Sequence, residues 1–226
     1  MKFYNNADEL IKKELPRSIR AQLYPFFLSG ARAFHEVIQS NSTLFTSTFL
    51  TNIKGWLFNY LIFRQFEEDM LSENFPFKVQ AVKVNNFNYK SLNLVRQNVI
   101  INIGKAKDKD ALPNRSWYRV KQCRKNKFKA KQLFYDTNTK NNLIVKPEPY
   151  YLFLTYGTRN NDIEFVNLLV PNENMTGYLK KIELGSEFSL IKNNDILIQQ
   201  AEKRITSLKA DVLKQLNLLK GEGNES

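Results

Sequence analysis

Apolar positions recur at three-and-four spacing through the first third of the chain and again in its tail, whereas the middle runs apolar in short blocks bounded by Asn, Pro and Gly. Helical ends flanking a β region are therefore expected. In MKFYNNADELIKKELP the spacing predicts a short helix that Asp8 caps and Pro16 closes. A second run reaches Tyr24, and Pro25 suits the first turn of a third helix through FFLSGARAFHEVIQS. After the polar break at 40–43, residues 46–73 set Phe49, Ile53, Trp56, Tyr60 and Phe63 on one stripe with Leu57 and Leu61 beside it, which predicts one long core helix.

The period changes after 74–76. FKVQAVKV (77–84) and NVIINIG (98–104) read as strands, and YYLFLTYG (150–157) followed by IEFVNLLV (163–170) reads as a hairpin whose first strand is interior. Turn residues at 157–162 supply the connection. The expected class is α+β: an N-terminal helical segment with one long core helix, then a mixed or antiparallel sheet of about five or six strands. Residues 1–190 are expected to form a single domain, helical over 1–75 and mainly β over 76–190. Residues 191–226 then form a long amphipathic helix and a short polar tail. Asn194 or Asp195 caps that helix, Gly221 ends it, and Ile198, Ala201, Ile205, Leu208, Val212, Leu216 and Leu219 line one stripe. The stripe either packs on its own domain or meets a second copy or a partner protein.

Composition sharpens this picture at one point. With 42% hydrophobic and 13% aromatic residues in 226, the chain can bury a sizeable core, which argues against disorder over the whole length. Its net charge of +12 and pI of about 9.6 favour an anionic partner. That charge is concentrated: residues 105–131 hold eleven Lys or Arg against two Asp, a net +9. Lys125, Lys127, Lys129 and Lys131 alternate with Asn126, Phe128, Ala130 and Gln132, and Arg119 and Lys121 alternate with Tyr118 and Val120. The alternation predicts a basic β-ribbon with strands near 116–123 and 127–135, joined around 124–126.

Such a ribbon would track a phosphate backbone, making DNA or RNA the expected partner. The candidate contact residues are Lys105, Lys107, Arg115, Trp117, Arg119, Lys121, Arg124, Lys125, Lys127, Lys129 and Lys131. Aromatic rings there can stack on unpaired bases, and Arg115, Arg119 and Arg124 can fork onto base edges or phosphates. The preceding loop, GKAKDKDALPN, is expected to be mobile and to carry Lys105, Lys107 and Lys109 to the same ligand. Two competing readings use the same residues: an edge strand whose lysines prevent aggregation while Trp117, Tyr118, Phe128 and Phe134 face the core, and a surface for an acidic protein.

Catalytic signatures are sparse. One Cys, Cys123, rules out an internal disulfide and is expected to be a buried small apolar residue in a reduced, cytoplasmic protein. One His, His35, together with that Cys leaves no usual zinc ligand set, so no metal or other cofactor is expected. GKAKDKD lacks the GxxxxGK[ST] phosphate loop, and neither GxGxxG after a strand nor GxSxG occurs. The start has no apolar signal core, and WLFNYLIF (56–63) is too short to span a bilayer, so no membrane is expected.

An N-terminal helical part, a mixed sheet and a basic groove together resemble the restriction-endonuclease architecture, whose catalytic pattern sets an acidic residue on one strand and Asp/Glu-x-Lys on the next. NDIEFVN (161–167) offers Asp162 and Glu164 without the lysine, so the resemblance is one of architecture. It implies a magnesium-dependent nuclease, with Glu36, Glu67, Glu68 and Asp69 as further oxygen ligands, or an inactive relative that keeps the groove. Otherwise residues 67–69 form the solvated face of the core helix. The leading expectation is a non-enzymatic nucleic-acid-binding accessory or regulatory protein. A nuclease, and an interaction module or inhibitor that meets an acidic protein, are the alternatives.

Overall fold

The computed structural model describes residues 2–46, 51–83, 90–128 and 148–190. These fall into two units. One comprises Met1–Ala21, Asn74–Thr158 and Glu164–Leu190, and the described part of the other comprises Gln22–Glu73 and Arg159–Ile163.

The first unit is built on a sheet of six strands: β1 (Lys78–Lys83), β2 (Lys90–Arg96), β3 (Val99–Lys105), β4 (Tyr150–Arg159), β5 (Asp162–Pro171) and β6 (Tyr178–Glu183), hydrogen-bonded in that order. β3 and β4 run parallel, and the β1–β2, β2–β3 and β5–β6 pairs are antiparallel, so the sheet is mixed and the class is α+β. β4 is the apolar block of the sequence and is buried from Tyr150 to Gly157. It turns into β5 through Asn160 and Asn161 at φ 53° and 68°, the left-handed pair that a two-residue hairpin needs and that Asn tolerates. β2 and β6 are not apparent in the apolar pattern, because KSLNLVR and YLKKIE interleave too many polar residues.

α1 (Ala7–Glu14) is capped by Asn6, not Asp8. The Asn6 side chain accepts from Glu9 N at 2.9 Å, and Asp8 lies inside the first turn, where its charge complements the helix dipole. α2 (Arg17–Arg20) follows.

In the second unit α3 (Tyr24–Ser40), with Pro25 in its first turn, is followed by α4 (Ser42–Phe45) and α5 (Thr51–Arg64). α3 and α5 meet at Gly30, where an added Cβ would stand 2.6 Å from Ile62 Cδ1 and 3.0 Å from Ile62 Cα. Phe34 meets Phe58 edge-on at 5.1 Å, and Phe26 stacks on Phe66 at 4.6 Å. The buried face of α5 is therefore Phe58, Leu61 and Ile62, while Ile53 (45% exposed) and Trp56 (68% exposed) of the expected stripe face outward. The physical reason is that 57–63 is apolar on nearly every side, so its spacing supports two stripes. The close approach at Gly30 selects one of them.

α5 also ends earlier than expected. Beyond Arg64 the chain turns, and Glu68–Met70 is a 3₁₀ turn, so Glu67, Glu68 and Asp69 follow the helix and do not form its polar face. The buried Arg64 guanidinium donates to both Asp69 oxygens at 2.7 and 2.6 Å and reaches Glu67 at 3.3 Å. Phe49 and the expected C-terminal helix with Ile198, Ile205, Leu208, Val212, Leu216 and Leu219 lie outside the described residues.

Candidate nucleic-acid interface

The basic segment is the crossover from β3 to its parallel neighbour β4. The register pairs Val99–Lys105 directly with Tyr150–Tyr156, which leaves no strand edge between them for a ribbon to join. Residues 117–123 form a helix instead, α6 (Trp117–Cys123), and the expectation of a strand at 116–123 is corrected. Ser116 is the deciding residue: its extended backbone lets Oγ accept from Arg119 N at 3.3 Å, satisfying one of the free amides at the helix start. Seven residues are short enough for the same polar pattern to fit a strand or a helix. Of the second expected strand, near 127–135, only Lys127 and Phe128 are described and they are not in a strand, while Lys129 and Lys131 lie outside the described residues.

Three buried asparagines hold this crossover on the sheet. Asn126 donates to the carbonyls of Tyr151 (2.8 Å) and Pro171 (3.0 Å) and accepts from Tyr151 N (2.7 Å). Asn102 accepts from Arg119 Nε at 3.3 Å and donates to Ser91 Oγ and Asn93 Oδ1 on β2. Asn167 donates to Lys109 O at 2.8 Å. The Asn126 and Asn102 amides thereby satisfy buried groups of β2, β4 and β5 that would otherwise be stranded away from water. Gly104 completes the seat, since a Cβ there would meet Arg119 Nη2 at 3.0 Å and Pro113 Cβ at 3.2 Å.

Apolar contacts finish the anchoring. Cys123 is fully buried with Tyr151, Phe153, Leu169 and Met175, and Tyr118 and Val120 of α6 pack against this cluster. Burial pushes the Cys123 thiol up to about 12, which makes it an inert packing group, as expected from its isolation in the sequence. Phe128 is buried against Tyr150 at 5.1 Å. The loop expected to be mobile is tied down as well: Ala106 N donates to Tyr156 O at 2.9 Å, Pro113 is buried, and Lys181 holds Asp110 at 2.7 Å. That lysine keeps the Asp110 carboxyl below its ordinary range.

What remains outward is a face of α6. Trp117, Lys121 and Arg124 follow one another at four and three residues, and Trp117 is 76% exposed with Lys121 Nζ 5.0 Å from its ring centroid. Lys105, Lys107, Arg115, Arg124 and Lys127 are also exposed and make no ion pair with a described acidic residue. Two of the candidates have other roles. Arg119 turns inward to Asn102 and to Asn114 O (2.7 Å), and Lys125 leans 3.5 Å from Glu148.

No protein family, curated protein or solved structure matches the chain.

Asp162 meets His35 Nε2 at 2.9 Å, and Glu67 and Asp69 both meet Arg64. Among the described residues no group of three or more His, Cys, Asp or Glu is placed to hold a metal ion, and no helix is long and apolar enough to cross a membrane. A groove of about 640 Å³ lies between α1, α2, β6 and α7 (Leu184–Ser189), but its charges largely satisfy one another, Lys180 with Asp8 at 2.6 Å and Arg20 with Glu187. The asparagine seats went unread in the sequence. Their signal is an Asn inside an apolar strand run, as in VIINIG and IEFVNLLV, where a buried amide demands a partner.

Proposed function

We propose that this protein is a non-enzymatic nucleic-acid-binding accessory or regulatory protein of the cytoplasm, and that the β3–β4 crossover is its contact surface. One observation carries the reading: five exposed cations, Lys105 at the end of β3 and Lys107, Arg115, Arg124 and Lys127 on the described, seated part of the crossover, have no described acidic partner. Cations that are neither paired nor buried are free to displace counterions from a phosphate backbone. The seat matters because side chains on a fixed backbone lose less freedom when they engage a ligand.

Binding of labelled DNA and RNA across a salt series, with and without Mg²⁺, tests it. For the chain with Arg115, Lys121, Arg124 and Lys127 changed to Gln, the slope of log affinity against log salt should flatten by up to about 3.6, since each phosphate contact contributes about 0.7 to 0.9. Arg119 is left in place because it belongs to the seat. Cleavage that depends on Mg²⁺ and is abolished by Asp162→Ala or Glu164→Ala would instead establish the nuclease alternative. Absence of salt-sensitive binding would turn the search to an acidic protein partner.

A further inference from the structure

We infer that the α6 face takes single-stranded nucleic acid, with Trp117 as a stacking platform for an unpaired base and Lys121 and Arg124 as phosphate contacts beside it. The inference rests on the nucleic-acid reading above and names the form of the ligand. Positions 117, 121 and 124 share one helix face, spaced about 6 and 10 Å along the axis from the tryptophan. The indole is 76% exposed, whereas the packing of α6 is carried by Tyr118, Val120 and Cys123. Trp117 therefore has no role in the core that would account for it.

The platform is also held in place. Ser116 caps the helix, Arg119 is bonded to Asn102 and Asn114 O, and Cys123 is sealed in the core, so the backbone beneath the indole is fixed before any ligand arrives. In a duplex the base faces are already stacked on one another and only their edges reach the grooves, so an indole finds no face to cover unless a base is flipped. An unpaired strand offers both what the indole needs and what the flanking cations need. Arg119, by contrast, is a positioning residue that acts through the helix.

The full chain carrying Trp56→Phe, which leaves Trp117 as its only tryptophan, would be titrated with oligo-dT, oligo-rU and a duplex of equal length at several salt concentrations. Both single strands should quench the Trp117 fluorescence. In anisotropy with labelled strands, Trp117→Ala should lower single-strand affinity about 5- to 100-fold, leave duplex affinity and the salt slope unchanged, and be partly rescued by Trp117→Phe. Lys121→Gln and Arg124→Gln should each flatten the single-strand slope by about 0.7. Binding that persists undiminished in Trp117→Ala, or falls equally for duplex and single strand, overturns the stacking inference and leaves the nucleic-acid reading standing. If the parent chain binds none of the three, both fall together.

Discussion

Asn126→Ala is the perturbation that most directly tests how the crossover is held. The side chain is 1% exposed and makes three hydrogen bonds, at 2.7, 2.8 and 3.0 Å, to the backbone of β4 and β5. Each bond is worth about 0.5 to 1.5 kcal/mol net, so the three together contribute about 1.5 to 4.5 kcal/mol. A loss of about 2 to 4 kcal/mol is expected, which for a chain of this size lowers Tm by about 5 to 15 °C. Urea unfolding followed by circular dichroism measures the loss, and hydrogen exchange should show faster opening of residues 117–128. Asn126→Asp sharpens the test. The introduced carboxylate can still accept from Tyr151 N but confronts two carbonyl oxygens, so at pH 7 this variant should be less stable than Asn126→Ala. Its folded-state pKa would be raised, and the deficit should shrink as pH falls and the carboxyl gains a proton to donate. An alanine variant that loses less than about 1 kcal/mol, or a carboxylate tolerated as well as alanine at neutral pH, would refute the anchoring argument.

Two further predictions concern the helical unit. Gly30→Ala pushes a methyl group into the Ile62 side chain and backbone and should destabilise by about 1 to 3 kcal/mol in thermal or urea unfolding, although alanine is the better helix former. Asp69 has its carboxyl held below the ordinary range, first by the hydrogen bonds from Arg64. Because a depressed carboxylate stabilises the fold above its unfolded pKa and loses that contribution as pH drops through its folded pKa, Asp69→Asn should be less stable than the parent at pH 7. The two should converge as the pH falls below about 4. A constant gap down to low pH would show that the ion pair contributes nothing to pH-dependent stability.

The sequence was most legible where one physical demand dominated. Val99–Lys105 and Tyr150–Pro171 read as strands because β-branched and aromatic blocks, broken by an Asn-Asn turn, have no other comfortable conformation. Where two patterns fitted the same residues, periodicity could not choose. Seven residues of alternating charge at 117–123 satisfied a ribbon and a helix alike, and the Ser116 cap decided between them. The apolar circumference of α5 satisfied two stripes, and Gly30 decided there. The cations of the candidate interface were visible as a cluster, but not their division of labour. Nothing local separates Arg119, turned onto Asn102, from Arg124, turned to solvent, because that difference depends on an amide seventeen residues away in the chain.

The parallel pairing of β3 with β4 has an evolutionary consequence. Joining two neighbouring parallel strands needs a long return path, here 44 residues from 106 to 149, whose length the register does not specify. Doubling such a connection adds only about 0.6 kcal/mol of closure entropy. Lineages can therefore lengthen, shorten or recharge this stretch at little cost to the sheet, provided that Asn126 and the residues meeting Asn102 and Asn167 are kept. Relatives of this protein should thus differ most in their basic stretches and least in the asparagines beneath them, with ligand preference drifting faster than fold.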